Sequence, residues 1–184
     1  MLTINEYRKV ESLEEAYELN QKKNNKIIAG GVWMKIGDRR IATAIDLSGL
    51  GLDQITETDT EFVIGAMTTL REIEKHAGLA AYTDGAIRES VRHIVGVQFR
   101  NCATVGGSIF GRFGFSDVLT VFLAMDTQVE LYHAGMVPLK EFIDMPYDND
   151  ILVALHVAKK PIRIAYLSQR NTGYRFSGGC LCSV

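Results

Sequence analysis

Apolar residues recur along the chain with two different periods, which separate the predicted helices from the predicted strands. Ser12 and Glu15 have the spacing of a capping box, and an amphipathic helical pattern follows them. A short apolar run at residues 26–29 predicts a strand that leads directly into Gly30 and Gly31. The first part of the chain is therefore predicted to contain a helix, a strand and a glycine turn.

Beyond that turn, short strands outnumber helices. The segments predicted as strands are residues 42–47, 52–57, 61–65, 128–132, 151–157 and 164–170. The second and third of these alternate around Thr58 and predict a hairpin. Helical patterns cover residues 83–94 and 117–125, and another helix is predicted to begin at Thr69, because Glu72 follows it by three residues. A β-rich centre with few connecting helices predicts an α+β fold rather than a doubly wound sheet.

Two changes in composition suggest boundaries between segments of the chain. One falls near residues 48–52, where a small α/β unit gives way to the hairpin, and the other falls at Lys159-Lys160-Pro161. These breaks predict three segments, at residues 1–50, 51–160 and 161–184.

Composition and charge narrow the class of protein. The 184 residues are 47% hydrophobic with a net charge of −2, so the chain can bury a core and has no electrostatic footprint for nucleic acid. We find no signal peptide and no apolar run long enough to cross a membrane, and we therefore expect a cytoplasmic protein. The spacing of Cys102, Cys180 and Cys182 fits neither a zinc site nor a plant-type iron–sulfur site, and we interpret all three as structural or incidental.

The first candidate for chemistry is the turn at Gly30 and Gly31. A strand, a double glycine and a helical turn in that order can direct several backbone amides at one point, where they bind phosphate oxygens. No dinucleotide fingerprint or P-loop follows, and an ordinary turn is the alternative. Trp33, the sole tryptophan, is expected to be an anchor in the core or at its rim.

The second candidate is the stretch 100–117, with the sequence RNCATVGGSIFGRFGFSD. Its paired glycines, Gly106 and Gly107, allow the backbone to approach a ligand closely, and Thr104 and Ser108 add hydroxyl groups. Asp117 has the chemistry to accept hydrogen bonds from a vicinal diol such as a ribose. The alternative is a glycine-rich turn followed by an aspartate that caps a helix.

Familiar catalytic groups are missing. The sequence has no nucleophile elbow and no His-Glu-x-x-His. Its four histidines are scattered. If the protein takes part in a reaction, a cofactor must supply the chemistry.

Together, residues 29–31, 65–70 and 100–107, with Asp117, resemble the flavin-binding (medium) subunit of the molybdenum hydroxylases, the family of xanthine dehydrogenase, carbon monoxide dehydrogenase and nicotinate dehydrogenase. The resemblance implies the α+β FAD-binding fold of the vanillyl-alcohol oxidase and molybdopterin dehydrogenase type, with the flavin site between two α/β subdomains. Residues 1–50 would carry the pyrophosphate loop and residues 51–160 the second FAD-binding subdomain. Residues 161–184 would begin a C-terminal domain that is mostly missing.

The resemblance also implies which residues bind FAD. No histidine lies in either glycine segment, so we expect FAD to be bound without a covalent link. One glycine turn wraps the pyrophosphate, the other adds amides and hydroxyls, the acid holds the adenosine ribose, and two apolar residues lie close to the flavin. In that order, the implied residues are Ile27, Ile28, Ala29, Gly30, Gly31, Val32, Trp33 and Met34; Ala103, Thr104, Gly106, Gly107 and Ser108; Asp117; and Ile94 and Leu152.

Two departures from the family pattern stand in these segments. The family usually has Thr or Ser and then Asp after the first double glycine, where this chain has Val32 and Trp33. Ser108 stands where the family usually has Asn. The first departure removes a polar side chain that would touch the cofactor and adds a bulky ring.

The implied function is electron transfer in an oxidoreductase of the xanthine dehydrogenase type, with no catalytic residue or metal ligand in this chain. A partner subunit oxidises substrate at a molybdenum cofactor, a [2Fe-2S] partner carries electrons to FAD, and NAD is the acceptor in many members. Two alternatives stay open. The chain could be a flavin-free assembly or scaffold paralogue, or a nucleotide-phosphate module unrelated to flavin.

Overall fold

The structure, a computed structural model, describes residues 1–167, 170–171, 174–175 and 179–183, with side chains described through residue 166. A three-stranded parallel sheet comes first, in the order β1-β3-β2. Its strands and the helix between the first two are β1 Thr3–Lys9, α1 Leu13–Asn20, β2 Lys26–Ile28 and β3 Arg40–Asp46. The helix packs on the sheet through a small apolar cluster built from Val10, Ala16, Ile45, Leu47 and Ile151.

Strand β1 is absent from the sequence-based prediction, for a physical reason. All seven of its side chains are exposed, so no apolar alternation marks it. Its parallel pairing with β3 and polar contacts hold it in place: the Thr43 hydroxyl donates to Glu6 Oε2 at 3.0 Å, and the Tyr7 hydroxyl donates to Asp46. A strand at the edge of a sheet needs no apolar face to be stable.

A five-stranded antiparallel sheet forms the second unit, in the order β4-β5-β8-β6-β7. The strands are β4 Ile55–Glu57, β5 Glu61–Gly65, β6 Thr127–Leu131, β7 Gly135–Pro138 and β8 Leu152–Ala158. The predicted hairpin is confirmed, with Ile55 opposite Ile64 and Glu57 opposite Phe62. Strand β8, predicted from its apolar run, lies at the centre of this sheet and is almost entirely buried.

Short helices cover this sheet and enclose the main core. They are α2 Leu70–Lys75, α3 Ala77–Tyr82, α4 Ala86–Arg92, α5 Val97–Cys102, α6 Val105–Phe110, α7 Asp117–Leu123 and α8 Leu139–Phe142. The helix predicted over residues 83–94 is shorter than expected, because Asp84 and Gly85 both have positive φ and turn the chain before Ala86. Helix α6 begins where a glycine turn was predicted near residues 103–108.

The last strands are β9 Arg163–Leu167, β10 Arg170–Asn171, β11 Tyr174–Arg175 and β12 Gly179–Ser183. Strand β12 pairs antiparallel with β9. Within the predicted strand at residues 164–170, the structure describes β9 up to Leu167 and Arg170 in β10, and Ser168 and Gln169 lie outside the described residues. Within the described part of the chain, no helix is both long and apolar enough to cross a membrane.

Candidate functional site

The first glycine loop is held tightly against the second unit. Strand β2 ends at Ile28, and the loop after it closes with a 3₁₀ turn at Met34–Ile36. Gly31 has φ +65°, and a Cβ added to Gly30 would lie 1.6 Å from the carbonyl oxygen of Cys102. Only glycine fits so close to another backbone. The loop is therefore fixed against the end of α5.

The same loop leaves three consecutive amides available. Among the described residues, we find no acceptor for the backbone amides of Gly31, Val32 or Trp33. Backbone amides are strong donors that are almost always paired when they are withdrawn from water. A run of such donors in a turn binds anions, phosphate above all.

The second glycine segment is the start of a helix rather than a turn. Thr104 is the N-cap of α6, and its Oγ1 accepts from the Gly107 amide at 3.1 Å. The Ser108 hydroxyl donates to the Thr104 carbonyl at 2.9 Å. Both hydroxyl groups predicted to serve a ligand are thus used to build the helix.

The two glycines of α6 have different roles. A Cβ on Gly106 would lie 2.6 Å from the Ala66 carbonyl oxygen, so this glycine allows α6 to pack on the turn after β5. Gly107 is exposed, and a Cβ there would lie 3.9 Å from that of Ala29. Gly107 is therefore the glycine of α6 that faces the first loop.

The two glycine segments together border two adjoining cavities. The first cavity has a volume of about 570 Å³ and the second about 470 Å³. Both lie within the range of roughly 300–1,000 Å³ that is usual for small-molecule sites. The residues that line both are Ile27, Ala29, Trp33, Met34, Gly107 and Phe113.

The predicted site residues divide between these cavities. Gly106 and Leu152 line the first cavity only. The residues that line the second cavity only are Gly30, Gly31, Val32, Ile94, Ala103, Thr104, Ser108 and Asp117. Ile28 lines neither of the two. Ile94 and Leu152, both expected to lie close to the flavin, thus line different cavities.

Asp117 is the first residue of α7, but it does not cap the helix. Ser116 is the N-cap, with its Oγ accepting from the Leu119 amide at 3.2 Å. The interpretation of Asp117 as a capping residue is therefore wrong. Asp117 Oδ1 instead accepts from the Tyr166 hydroxyl at 2.7 Å, at the wall of the second cavity. Tyr166 was not identified from the sequence.

Arg100 positions another part of the wall. Its guanidinium is buried, with Nε 2.8 Å from Glu74 Oε2 and Nη1 3.1 Å from the Ile94 carbonyl. Burial raises the pKa of Glu74, but hydrogen bonds from Arg71 and Arg100 outweigh it and hold this pKa below its usual value. The ion pair thus joins α2 to α5 and fixes Ile94 beside the second cavity.

Sequence reasoning missed two exposed aromatic residues at the site. Phe113 and Phe115 stack with their ring centroids 5.2 Å apart and their planes at 13°, and Trp33 packs against both at 6.3 and 6.4 Å. Trp33 is 64% exposed, so it lies at the rim and not in the core. The signal for the two phenylalanines was their alternation with glycine in residues 111–115.

The described residues contain no cluster of His, Cys, Asp and Glu side chains able to hold a metal ion. The site offers available amides, a carboxylate and apolar walls. Those groups fit a dinucleotide with a diphosphate, hydroxyl-bearing sugars and flat rings.

Comparisons with known proteins agree with this chemistry. The family model for the FAD-binding domain in molybdopterin dehydrogenase matches residues 3–159. The protein YgfM of Escherichia coli K12 is 27% identical over 168 residues, which are 87% of this chain and 61% of YgfM. The chain therefore spans less than two thirds of that relative.

Solved structures share the fold. A carbon monoxide dehydrogenase from Hydrogenophaga pseudoflava matches with a TM-score of 0.81 and 22% identity, over 94% of this chain and 66% of that one. Quinoline 2-oxidoreductase from Pseudomonas putida 86 matches with a TM-score of 0.81 and 17% identity, over 94% and 65%. The resemblance and the α+β fold class inferred from the sequence are confirmed, as is FAD as the implied cofactor. The chain belongs to the family of FAD-binding domains found in molybdopterin dehydrogenases.

Proposed function

We propose that this chain binds FAD without a covalent bond and serves as the electron-transfer subunit of a molybdenum hydroxylase. The observation that carries the proposal is the run of amides at Gly31, Val32 and Trp33, for which the described part of the chain offers no acceptor, beside Gly107 and two cavities of ligand size. No histidine is present in residues 27–35 or 104–108, where a covalent link to the flavin would be expected.

Different residues of the cleft, by which we mean the two adjoining cavities, contact different parts of the cofactor. The loop amides bind the diphosphate, and each charge-assisted hydrogen bond contributes about 1.5–3 kcal/mol. Asp117, oriented by Tyr166, accepts hydrogen bonds from sugar hydroxyls. Ile94 and Leu152 provide apolar contact in the second and first cavities. When bound, FAD supplies the redox chemistry that these side chains lack.

A structural relative supports the proposed molybdenum partner. One similar structure is named as a Cu,Mo-CO dehydrogenase, so that enzyme contains molybdenum. Substrate oxidation by the assembly that contains this chain would then take place at a large molybdenum subunit. A small [2Fe-2S] subunit would pass the electrons to FAD, and NAD or another acceptor would receive them. We propose a cytoplasmic complex of the xanthine dehydrogenase type.

Calorimetric titration with FAD tests the binding. We expect one FAD per chain, released into solution when the protein is denatured. Gly107→Ala places a methyl group between the two glycine segments and should weaken binding. Tyr132→Ala is the control, because Tyr132 lines neither cavity. No heat and no thermal shift with FAD would contradict the proposal, and tighter binding of ATP or NAD would indicate a different nucleotide.

One observation favours a second candidate, a flavin-free scaffold. The ring of Trp33 stands where the family usually has Asp, and it borders both cavities. A scaffold would co-purify with molybdenum and iron–sulfur subunits in a complex without flavin. Flavin analysis of the purified complex distinguishes the two functions.

A further inference from the structure

Three exposed rings form a continuous patch at the cleft. Trp33, Phe113 and Phe115, which we call the aromatic rim, are 64%, 46% and 57% exposed. Their mutual centroid distances of 5.2–6.4 Å make them one surface. By contrast, the core residues Phe62, Phe122 and Phe142 are fully buried. An exposed apolar patch of this kind usually marks a binding surface.

The aromatic rim is continuous with the groups that would hold the cofactor. All three rings line the second cavity, which also contains Gly31 and Asp117. Trp33 and Phe113 line the first cavity as well. The rings therefore stand next to the amides for the diphosphate and the carboxylate for the sugar hydroxyls.

The loop that carries Phe113 and Phe115 is anchored. The Arg112 guanidinium lies 4.0 Å from the ring centroid of Phe142 and 4.7 Å from that of Tyr147, and it donates to the Met145 carbonyl. The Tyr147 hydroxyl donates to the Gly111 carbonyl at 2.7 Å.

Two features show how closely this loop is constrained. Arg112 has φ +48°, a conformation that non-glycine residues adopt only when their surroundings impose it. A Cβ on Gly111 would lie 2.8 Å from the Phe113 ring. The loop thus presents its rings in a fixed arrangement, and a preorganised surface loses little freedom when a ligand binds.

We propose that the aromatic rim stacks on one planar ring system of the bound dinucleotide. The inference rests on the proposed binding of FAD, whose diphosphate joins two flat heteroaromatic rings, adenine and isoalloxazine. Stacking on aromatic side chains requires only the face of such a ring. The rim therefore compensates for the absence of a polar side chain at positions 32 and 33, where Val32 and Trp33 stand.

Affinity measurements with matched variants test this role. Kd values for FAD, FMN and ADP are compared between the wild type and Trp33→Ala, Phe113→Ala and Phe115→Ala. Loss of a stacking ring weakens binding by about tenfold. Trp33→Phe should restore most of the affinity, because it keeps a ring. Tyr132→Ala is the control, since Tyr132 is 39% exposed and lines neither cavity.

The outcomes separate the two rings and the two proposals. Parallel losses for FAD and ADP identify adenine as the stacked ring, and parallel losses for FAD and FMN identify isoalloxazine; either supports the inference. FAD affinity within twofold of wild type in all three alanine variants, or tighter binding by Trp33→Ala, overturns it. If the wild type itself binds no FAD, the proposed function fails. Circular dichroism confirms that each variant is folded.

Discussion

At the scale of single residues, two glycines allow close backbone contacts, Gly30 between the two units and Gly106 within the second unit. The backbone at Gly30 touches the end of α5, and that at Gly106 touches the turn after β5. From the sequence we expected both glycines to serve a ligand, Gly30 in a turn that binds phosphate and Gly106 through close backbone approach. The nearest partner is protein backbone, because a motif does not reveal which chain segment packs beside it.

Gly30→Ala is expected to destabilise the fold. Its Cβ would lie 1.6 Å from the Cys102 carbonyl oxygen, so the backbone must move. Overpacking of this kind costs about 1–3 kcal/mol or more in the free energy of unfolding. Urea denaturation measures the loss, with Gly114→Ala expected to lie within about 0.5 kcal/mol of wild type. Equal stability of the two variants would show that the loop is free to move.

The N-cap of α2 gives a second prediction. Thr69 Oγ1 accepts from the Glu72 amide at 3.2 Å, and Glu72 Oε2 accepts from the Thr69 amide at 2.7 Å, which confirms the predicted cap. Thr69→Ala should lower the free energy of unfolding by about 1 kcal/mol, and Thr69→Ser should retain most of it. Identical denaturation midpoints for the alanine and serine variants would contradict this role.

At the scale of elements, the helices and strands predicted correctly were those with a strong periodic pattern of apolar residues. Strand β8 and the β4–β5 hairpin were predicted because their apolar residues face a core. Helices α5 and α6 have six residues each and contain small or polar residues, so no helical period could emerge. Strand β1 has no buried side chain. The glycine segments that border the cavities were identified from the sequence, whereas Phe113 and Phe115 were missed because aromatic residues in a loop have no periodic pattern.

The ion pair between α2 and α5 leads to a prediction on acid stability. Because the pKa of Glu74 is lowered in the folded state, its contribution is present above the ordinary glutamate pKa and is lost as the pH falls through the lowered value. The free energy of unfolding should therefore fall less steeply below about pH 5 in Glu74→Gln than in wild type. Urea denaturation over this pH range makes the comparison, and parallel pH profiles would contradict the assignment.

At neutral pH, replacing the arginine partners of Glu74 tests the contribution of the same ion pair to stability. Arg100→Ala leaves Glu74 with Arg71 as its remaining cation and removes the donor to the Ile94 carbonyl. Breaking a buried pair in this way costs about 3 kcal/mol. Arg71→Ala, which removes a more exposed partner, should cost clearly less. A larger loss of stability for Arg71→Ala than for Arg100→Ala would show that Arg71, and not Arg100, has the structural role.

At the scale of the whole molecule, the cleft exists because two units meet. The Asn20 side chain of α1 donates to the Asn149 carbonyl at 2.7 Å, and Ile151 from the second unit packs in the first unit's apolar cluster. The loop after β2 and helix α6 are thereby held next to each other, and both border the two cavities. The segment boundaries predicted at residues 50 and 160 stay predictions.

Binding across two units should stabilise the whole chain. A ligand at 100 times its Kd adds about 2.7 kcal/mol to the free energy of unfolding. For a chain of this size, that corresponds to a rise in Tm of roughly 5–10 °C. A thermal melt with saturating FAD should show this rise, and Gly107→Ala a smaller one at the same FAD concentration. An unchanged Tm at saturation would contradict binding to the folded state.

The position of Trp33 has a practical consequence. It is the sole tryptophan of the chain, and it stands on the border of both cavities. The indole emission of the unlabelled protein therefore comes from one point at the mouth of the cleft. Any molecule that enters either cavity changes the surroundings of that single fluorophore, so the native chain carries its own optical reporter of occupancy.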